Sequence, residues 1–287
     1  MNMTQLFEKK KPVFSLEIFP PKKNAGGIET IYQTLDGLKD IKPDFISVTY
    51  GAGGNIADKS TCDICAIIKA KYGILPIAHL TCVNNSKADI DVILESLKNV
   101  GVSNILALRG DINPDIAPKD DFAYASDLVS YIKARGDFNI SGACYPETHP
   151  ESEDAVSDIL NLKKKVENGT EHLISQLFFN NEDFYAFREK AKLAGINVPI
   201  EAGIMPVTNK NQVLRMATMC GASIPKKMSR LLNRFENNPK ALEDAGIAYA
   251  IDQIVDLIAN DVDGIHLYTM NKPYIAQRIS NAIQSMR

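Results

Sequence analysis

The most chemically suggestive residue of this sequence is a glutamate inside an apolar segment. Glu17 lies in segment 13–19 (VFSLEIF), which ends at a pair of prolines. Because successive strand residues point to opposite faces, Glu17 would share the inward face with Ser15 and Phe19. A buried carboxylate needs a partner or must take up a proton. The pattern therefore indicates either a functional carboxyl group at a strand end or a structural ion pair with an inward lysine or arginine.

Polar residues follow the other apolar segments in the same way. Segment 104–110 runs into Arg109-Gly110-Asp111 and a proline-containing loop. Other candidates at or near strand ends are Thr49, Tyr50, His79, Tyr145, His149, Gln176, His266 and Tyr268. In a parallel barrel the carboxyl ends of the strands carry the chemistry. We therefore expect a ligand-contacting site made from several of these segments.

Common catalytic and metal-binding motifs do not fit the sequence. The loop Gly51-Ala-Gly-Gly54 carries Ile56 where a dinucleotide fingerprint needs its third glycine, and the chain has neither a P-loop nor a Gly-x-Ser-x-Gly elbow. The histidines lack the spacing of a hydrolytic metal site. The Cys62–Cys65 pair has no second pair to complete a zinc site. We expect no bound metal.

Alternating strand and helix patterns predict the elements that position these residues. The predicted strands are 13–19, 44–50, 75–82, 104–110, 139–146, 171–179, 198–205 and 262–269. Helical spacing of apolar residues occurs in 28–38, 88–100, 127–134, 155–166 and 184–193. Eight β/α units without a linker predict an α/β fold, a (β/α)8 TIM barrel, with a doubly wound sheet as the alternative. Segment 209–260 is too long for one helix and predicts extra helices before the last strand.

Composition restricts the class of protein. The 287 residues carry a formal net charge of −3, which gives no electrostatic reason to bind nucleic acid. No apolar run is long enough for a membrane span, and the N-terminus lacks the apolar core of a signal peptide. Five scattered cysteines are typical of a reduced compartment. We therefore expect a cytoplasmic protein that binds small molecules, without membrane attachment.

Several segments together resemble one family, the 5,10-methylenetetrahydrofolate reductases. They occur in family order over nearly the whole chain: Leu16-Glu-Ile-Phe-Pro-Pro21, Ser47-Val-Thr-Tyr-Gly51, Ala78-His-Leu-Thr-Cys82, Leu108-Arg-Gly-Asp111, Tyr124-Ala-Ser-Asp-Leu128, Tyr145-Pro-Glu-Thr-His-Pro150, Leu160-Asn-Leu-Lys-Lys-Lys165, Ser175-Gln-Leu-Phe-Phe179, Gly203-Ile-Met-Pro-Val207 and Tyr268-Thr-Met-Asn271. The chain resembles the short bacterial form, so we expect residues 1–287 to be a single catalytic barrel without a regulatory domain.

The resemblance implies a cofactor and a reaction. Family members hold non-covalent FAD at the C-terminal face of the barrel and reduce 5,10-methylenetetrahydrofolate to 5-methyltetrahydrofolate in a ping-pong reaction. NADH or NADPH is the reductant, and the product supplies methyl groups for methionine synthesis. A homo-oligomer is also expected.

The family's functional positions can be placed on this sequence residue by residue. Glu17 matches the general acid, and Asp111 matches the carboxylate beside pterin and flavin. The positions around FAD are matched by Thr49, Tyr50, Ala52, His79, Arg109, Gly110, Asp111, Tyr124, Ala125, Asp127, Tyr145, His149, Asp158, Asn161, Lys164 and Lys165. Folate or nicotinamide positions are matched by Glu17, Gln176, Tyr268 and Lys272. Lys164 and Lys165 would bind the pyrophosphate.

Three residues depart from the family pattern on the substrate side. Lys210 replaces an aromatic residue, Lys272 replaces an arginine, and Glu201 places a carboxyl group within a strand where an apolar residue is expected. These departures leave open an alternative in which the chain binds flavin and folate but receives electrons from an iron–sulfur partner protein. A flavin barrel that oxidises an amino acid such as proline is a third interpretation. It leaves the set Glu17, Asp111 and Gln176 unexplained.

Overall fold

Eight parallel strands close into a barrel in chain order. The computed structural model describes residues 3–21, 27–50, 60–112 and 117–287. The strands are β1 (Val13–Ile18), β2 (Phe45–Val48), β3 (Leu75–Thr81), β4 (Asn104–Leu108), β5 (Asn139–Cys144), β6 (Thr170–Ser175), β7 (Ile200–Ile204) and β8 (Gly264–Tyr268). Each strand pairs with the next, and β8 pairs with β1. The predicted (β/α)8 barrel is confirmed, and the doubly wound alternative is wrong.

Helices alternate with the strands around the barrel. They are α1 (Met3–Lys9), α2 (Ile28–Leu38), α3 (Ser60–Tyr72), α4 (Lys87–Asn99), α5 (Ala125–Lys133), α6 (Ala155–Glu167), α7 (Asn181–Leu193), α8 (Lys210–Cys220), α9 (Lys226–Phe235), α10 (Pro239–Ala259) and α11 (Pro273–Ile283). The extra helices predicted for 209–260 are α8, α9 and α10. Helix α1 was not predicted, because its seven residues are too few to show a clear apolar period. Among the described residues, no helix is long and apolar enough to cross a membrane.

The main core lies between the strands and the surrounding helices. Phe14, Leu16 and Ile18 of β1 belong to the same buried apolar cluster as Ile31 and Leu35 of α2. This outward direction is the one that strand alternation predicts. The alternate residues of β1 therefore point into the barrel.

The barrel interior is apolar at its amino-terminal end and polar above it. Val13, Phe45 and Leu106 form a buried cluster there with Met3 and Leu6, so α1 covers this end of the barrel. The interior residues further along the strands include buried serines, histidines and glutamates. The polar residues thus lie between an apolar floor and the open carboxyl ends of the strands.

Candidate active site

Glu17 lies near the carboxyl ends of the strands, the end of the barrel called the mouth below. Two histidines lie beside it. Its Oε2 atom is 3.6 Å from Nε2 of His79 on β3 and 3.6 Å from Nε2 of His266 on β8. Only 7% of Glu17 is exposed. Among the described residues, no lysine or arginine forms an ion pair with it. The alternative of a structural ion pair with a lysine or arginine therefore has no support in this part of the chain.

The imidazole of His79 beside Glu17 is neutral at physiological pH. Burial lowers the pKa of His79 to about 4, and the nearby Glu17 carboxyl only partly offsets that cost. Its Nε2 atom is buried without a hydrogen-bond partner. A polar atom of this kind is costly to leave unsatisfied. The mouth therefore holds an unused hydrogen-bonding position next to a carboxyl group.

Tyr268 completes the mouth on the side of β8. It is the register partner of Glu17, and its hydroxyl donates to the carbonyl oxygen of Ser175 over 2.8 Å. A Cβ atom at Gly203 would lie 2.7 Å from the Tyr268 hydroxyl and 2.2 Å from the Ser175 oxygen. Position 203 therefore requires glycine if the tyrosine is to occupy this place. Desolvation, and then Glu17, raise the pKa of the Tyr268 phenol, which stays protonated.

Charged residues follow β4. They belong to the rim of the mouth, which is formed by the segments that follow the strands. Arg109 is partly exposed, and its Nη2 atom donates to Oε1 of Glu151 over 2.7 Å. Asp111 is exposed. Gly110 between them has φ +88°, and a Cβ atom there would lie 3.0 Å from the Cβ atom of Thr81. The turn therefore needs glycine both for its backbone angle and for its close approach to β3.

Tyr145 and His149 form a second part of the rim after β5. Their ring centroids are 4.5 Å apart. The backbone N–H of His149 donates to Oδ2 of Asp158 over 3.2 Å, and the Ser152 hydroxyl donates to Oδ1 of Asp158 over 3.0 Å. Burial raises the pKa of Tyr145 to about 12 and lowers that of His149. Asp158 thus fixes the loop that carries a neutral phenol and a weakly basic imidazole.

Gln176 and Lys165 lie close to this part of the rim. The side-chain oxygen of Gln176 accepts a hydrogen bond from the backbone of Leu177 over 2.7 Å, and its side chain also interacts with Tyr145. The Lys165 amine donates to the carbonyl oxygen of Ala143 over 2.8 Å. Desolvation lowers the pKa of Lys165. The strand ends β4, β5 and β6 thus bring Asp111, Tyr145 and Gln176 to one side of the mouth.

The remaining predicted site residues come after strands in the chain. Thr49 and Tyr50 are half-buried after β2, and Ala52 lies outside the described residues. The Asp127 carboxylate accepts from the backbone N–H of Tyr124 over 2.9 Å, which caps α5. Ala125 is buried, whereas the exposed residues are Tyr124, Asn161, Lys164 and Lys272. The amine of Lys272 donates to the hydroxyl of Thr208 over 3.0 Å.

Sequence reasoning missed several contacts of the site. Glu151 was not proposed, although it pairs with Arg109, because an ion pair across two loops leaves no local pattern. His172 was also missed. It lies four residues before Gln176, so the alternation that places Gln176 inward also places His172 inward. The structure describes no group of three or more histidine, cysteine, aspartate or glutamate residues suited to a metal ion in its described ranges.

Comparison with known sequences agrees with the geometry. Residues 2–284 match the family model described as methylenetetrahydrofolate reductase. A 5,10-methylenetetrahydrofolate reductase of Pectobacterium carotovorum subsp. carotovorum is 37% identical over 269 residues, which cover 94% of this chain and 89% of the relative. The enzyme of the same name from Escherichia coli (strain K12) is 36% identical, with 94% and 90% covered.

Solved structures share the fold at much lower identity. An uncharacterized protein from Clostridium thermocellum that binds two copies of 5-methyl-5,6,7,8-tetrahydrofolic acid superposes with a TM-score of 0.69. Its sequence is 15% identical, and the alignment covers 100% of this chain and 99% of that protein. This likeness supports the barrel alone. The family match over residues 2–284 and the high coverage of both relatives show that the chain belongs to the methylenetetrahydrofolate reductase family.

Proposed function

We propose that this chain is an FAD-dependent enzyme that reduces 5,10-methylenetetrahydrofolate to 5-methyltetrahydrofolate with NADH or NADPH. Membership of the family supports the reaction. The observation that carries the proposal is Glu17, a buried carboxyl group at the barrel mouth beside the unpartnered Nε2 of neutral His79. The product would supply methyl groups for methionine synthesis.

The residues at the carboxyl ends of the strands are chemically suited to FAD. Arg109 and Lys165 provide cationic groups for a pyrophosphate, and the aromatic residue Tyr124 is 63% exposed. The unsatisfied Nε2 atom of His79 offers a hydrogen-bonding position at the mouth. Cationic, aromatic and polar donors are what a dinucleotide requires. We therefore assign FAD binding to the mouth and to the rim formed by the exits of β4, β5 and β6.

Glu17 is the group that makes the folate reactive. The methylene carbon bridges two nitrogens and is a poor hydride acceptor, so one nitrogen must be protonated before the five-membered ring opens to an iminium. When bound, FAD supplies the hydride that this carbon accepts and is itself reduced by the nicotinamide. Glu17 would donate that proton from a position shielded from bulk water. General acid catalysis of this kind contributes roughly 10²–10⁴-fold to the rate.

Other residues of the mouth bind and orient the substrates. Asp111 carries a carboxylate that can accept hydrogen bonds from the pterin, and charge-assisted bonds of this kind are strong. Gln176 follows Ser175 at the end of β6, and the Tyr268 hydroxyl donates to the Ser175 carbonyl oxygen. Lys272, at the outer edge, offers a single ammonium group for an acidic tail of the folate. We assign these four residues to the binding of folate or nicotinamide.

The first experiment identifies the cofactor and its reductant. The purified protein should be yellow, or become yellow with added FAD, and mass spectrometry of the released chromophore should identify FAD. Under anaerobic conditions NADH or NADPH should then bleach the visible flavin absorption. A colourless protein that does not take up FAD would refute the flavin-dependent function.

The same experiment separates direct reduction from delivery by a partner. If both nicotinamides leave the flavin oxidised while dithionite reduces it, the electrons come from another protein, such as an iron–sulfur partner. In that case the folate chemistry of the proposal stands and its reductant is wrong. Bleaching by proline instead of NADH would support the amino-acid-oxidising alternative.

A further inference from the structure

The barrel interior below Glu17 holds polar side chains that the proposed reaction does not use. They include four fully buried residues that contact one another: Ser15, His172, Glu201 and His266. The interior of this kind of barrel is ordinarily filled by layers of branched apolar side chains. Burial of polar groups is costly unless they bond to one another. This group of four, the interior polar chain, therefore needs a physical reason.

Within the interior polar chain, His266 and Ser15 link Glu17 to Glu201. The Oε2 atom of Glu17 is 3.6 Å from Nε2 of His266, and the other ring nitrogen, Nδ1, is 2.6 Å from the hydroxyl of Ser15. The same hydroxyl lies 2.9 Å from Oε1 of Glu201 and donates to it. Both ring nitrogens of His266 are thus adjacent to polar groups, one towards the mouth and one towards the interior.

The far side of Glu201 is closed by a second histidine. Its Oε2 atom lies 3.0 Å from Nε2 of His172, although the geometry between the two atoms does not meet that of a hydrogen bond. Nδ1 of His172 is 2.9 Å from the hydroxyl of Ser141. Phe7 of α1 packs against the His172 ring with centroids 4.7 Å apart. This end of the chain of contacts is therefore covered by the apolar floor.

The backbone makes room for Glu201. Its register partner on β8 is Gly264. A Cβ atom at position 264 would lie 2.7 Å from Cγ and 2.9 Å from Oε1 of Glu201, and 2.9 Å from the carbonyl oxygen of Val13. A side chain at 264 would thus collide with the buried carboxyl group. Glycine at position 264 thus leaves the space that the Glu201 side chain occupies.

Glu201 and His172 are both neutral. Burial raises the pKa of Glu201 to about 8, and His266 and Ser15 only partly offset that cost. Burial lowers the pKa of His172 to about 3. The titratable and polar groups around Glu201 are Ser15 on β1, Asp44 before β2, His172 on β6, Asp263 before β8 and His266 on β8. Because burial disfavours an ion pair here, the carboxyl group keeps its proton at neutral pH.

Hydrogen-bond directions follow from these charge states. A proton on Oε2 of Glu201 faces His172 and leaves Oε1 as an acceptor for the Ser15 hydroxyl. Ser15 has a single hydroxyl hydrogen, so its oxygen must accept the second bond, from Nδ1–H of His266. In its neutral form, His266 then carries its proton on Nδ1. Its bare Nε2 atom faces Glu17, with the hydroxyl of Ser47 3.4 Å away.

We propose that Glu201 and Ser15 are positioning residues that hold His266 in the Nδ1–H tautomer and so keep Glu17 in its acid form. This inference rests on the proposed role of Glu17 as the proton donor. A bare imidazole nitrogen can accept a hydrogen bond from a protonated carboxyl group but offers no proton to a carboxylate. The interior polar chain thus favours the form of Glu17 that can protonate the folate.

Removing the acceptor at position 201 should reverse the effect. Without Oε1 of Glu201, the Ser15 hydroxyl would donate to Nδ1 of His266, which moves the ring proton to Nε2. That proton would then bond to Glu17 and stabilise its carboxylate, which cannot act as an acid. A wrong histidine tautomer beside a catalytic group is known to be costly even where the geometry is intact.

The test reads the tautomer directly, without relying on activity. The chain has four histidines, so nitrogen-15 labelling of histidine gives a spectrum simple enough to assign. Wild-type protein should show His266 protonated on Nδ1. Ser15→Ala and Glu201→Leu should shift His266 towards Nε2 protonation. Ser141→Ala, the matched control, removes a hydroxyl that contacts His172 and should leave the His266 signals in place.

Kinetics of the separate half-reactions provide the second readout. With flavin-loaded protein, Ser15→Ala and Glu201→Leu should slow folate reduction at least about tenfold while leaving flavin reduction by NADH unchanged. Glu201→Gln should restore most of that rate, because its amide can accept from Ser15 and donate to His172. If Glu201→Leu does not fold, the Ser15 and Ser141 pair still decides the question.

Three results would overturn the inference. They are an Nε2–H tautomer of His266 in the wild type, an unchanged tautomer in Ser15→Ala, and a Glu201→Gln variant as slow as Glu201→Leu. Failure of the proposed function is a different result, in which wild-type protein lacks one of the two half-reactions. The tautomer measurement stands apart from both, because it needs neither flavin nor folate.

Discussion

The barrel interior and the rim of the same mouth use polar residues in opposite ways. In the interior, Glu17, Ser15, Glu201 and His266 are all at most 7% exposed, and neighbouring strands fix their positions. On the rim, Asp111 is exposed, and Arg109 forms an ion pair with Glu151, whose side chain is 55% exposed. The interior residues are shielded from water, whereas the rim residues are in contact with it.

This difference predicts which properties each region can control. Electrostatic interactions are stronger in a low-dielectric interior, so small changes there alter protonation. Exposed charges are screened by water and salt, so the rim is suited to attracting and orienting anionic ligands. We infer that the interior sets the proton chemistry and that the rim sets binding and the flavin potential. Substitutions in the two regions should therefore change different properties.

Glu17→Gln should have the largest effect. The amide keeps the size and polarity of the side chain but cannot donate an acid proton. Folate reduction should fall by roughly 10²–10⁴-fold. Reduction of the flavin by NADH should stay near the wild-type rate, since that hydride transfer needs no acid, and it serves as the internal control in anaerobic stopped-flow experiments. Comparable rates for both half-reactions in the variant would remove Glu17 from the role of acid.

Gly264→Ala should destabilise the interior by overpacking it. The added methyl group would approach Glu201 to 2.7 Å and the backbone oxygen of Val13 to 2.9 Å. Such insertions cost about 1–3 kcal/mol of unfolding free energy. Glu151→Gln on the rim is a suitable comparison, because an exposed ion pair contributes about 0–1 kcal/mol. Equal midpoints for the two variants in urea unfolding would contradict the description of a tightly filled interior.

The unfolding free energy of the wild type should fall as the pH rises above neutral, because of Glu201. Its pKa of about 8 in the folded protein exceeds the ordinary glutamate value of 4.5, so the folded state holds a proton that the unfolded state has lost. Above pH ~6.5 His79 and His172 are mostly neutral in both states. Between that pH and 8 the loss should approach ~1.4 kcal/mol per pH unit.

Two features sharpen the pH test. Glu201→Gln should remove the alkaline slope, which unfolding curves at several pH values would show. Below pH ~6.5 the dependence of stability on pH should be weaker or reversed. His79 and His172 bind protons in the unfolded state but not in the folded state, because their pKa values are lowered there. An alkaline slope that persists in the glutamine variant would assign it to another group.

Asp111→Asn should have the smallest effect, because its carboxylate is exposed. Removing a negative charge near the proposed flavin site should stabilise the anionic reduced form and raise the midpoint potential. A change of ~1.4 kcal/mol corresponds to ~30 mV for a two-electron couple. Affinity for the folate should also weaken through loss of charge-assisted hydrogen bonds. Potentiometry that finds the wild-type potential, with unchanged folate binding, would make Asp111 a structural residue of the turn.

The sequence was sufficient for the fold because the barrel has a strong periodic signal. All eight strands overlap the predicted segments, and the outward direction of Phe14, Leu16 and Ile18 follows from simple alternation. The short helix α1 was missed. Its role depends on packing against the floor of the barrel, which no local pattern records.

The site was only partly accessible to sequence reasoning. Alternation correctly placed Glu17 and His266 inside the barrel, and the odd carboxyl group at Glu201 was noticed as a departure from the family. The sequence alone did not show that Ser15 would connect His266 with Glu201. That connection depends on the register between β1, β7 and β8 and on the space left by Gly264, which are properties of three strands far apart in sequence.

The most direct test of the account is a single-turnover reaction of the wild-type protein with folate. The flavin-loaded protein is reduced anaerobically with NADH, or with dithionite if NADH fails, and is then mixed with 5,10-methylenetetrahydrofolate. We expect the oxidised flavin spectrum to return while 5-methyltetrahydrofolate forms in an amount equal to the flavin. A flavin that stays reduced, with no methylated product, would contradict the assignment of this barrel mouth as a folate-reducing site.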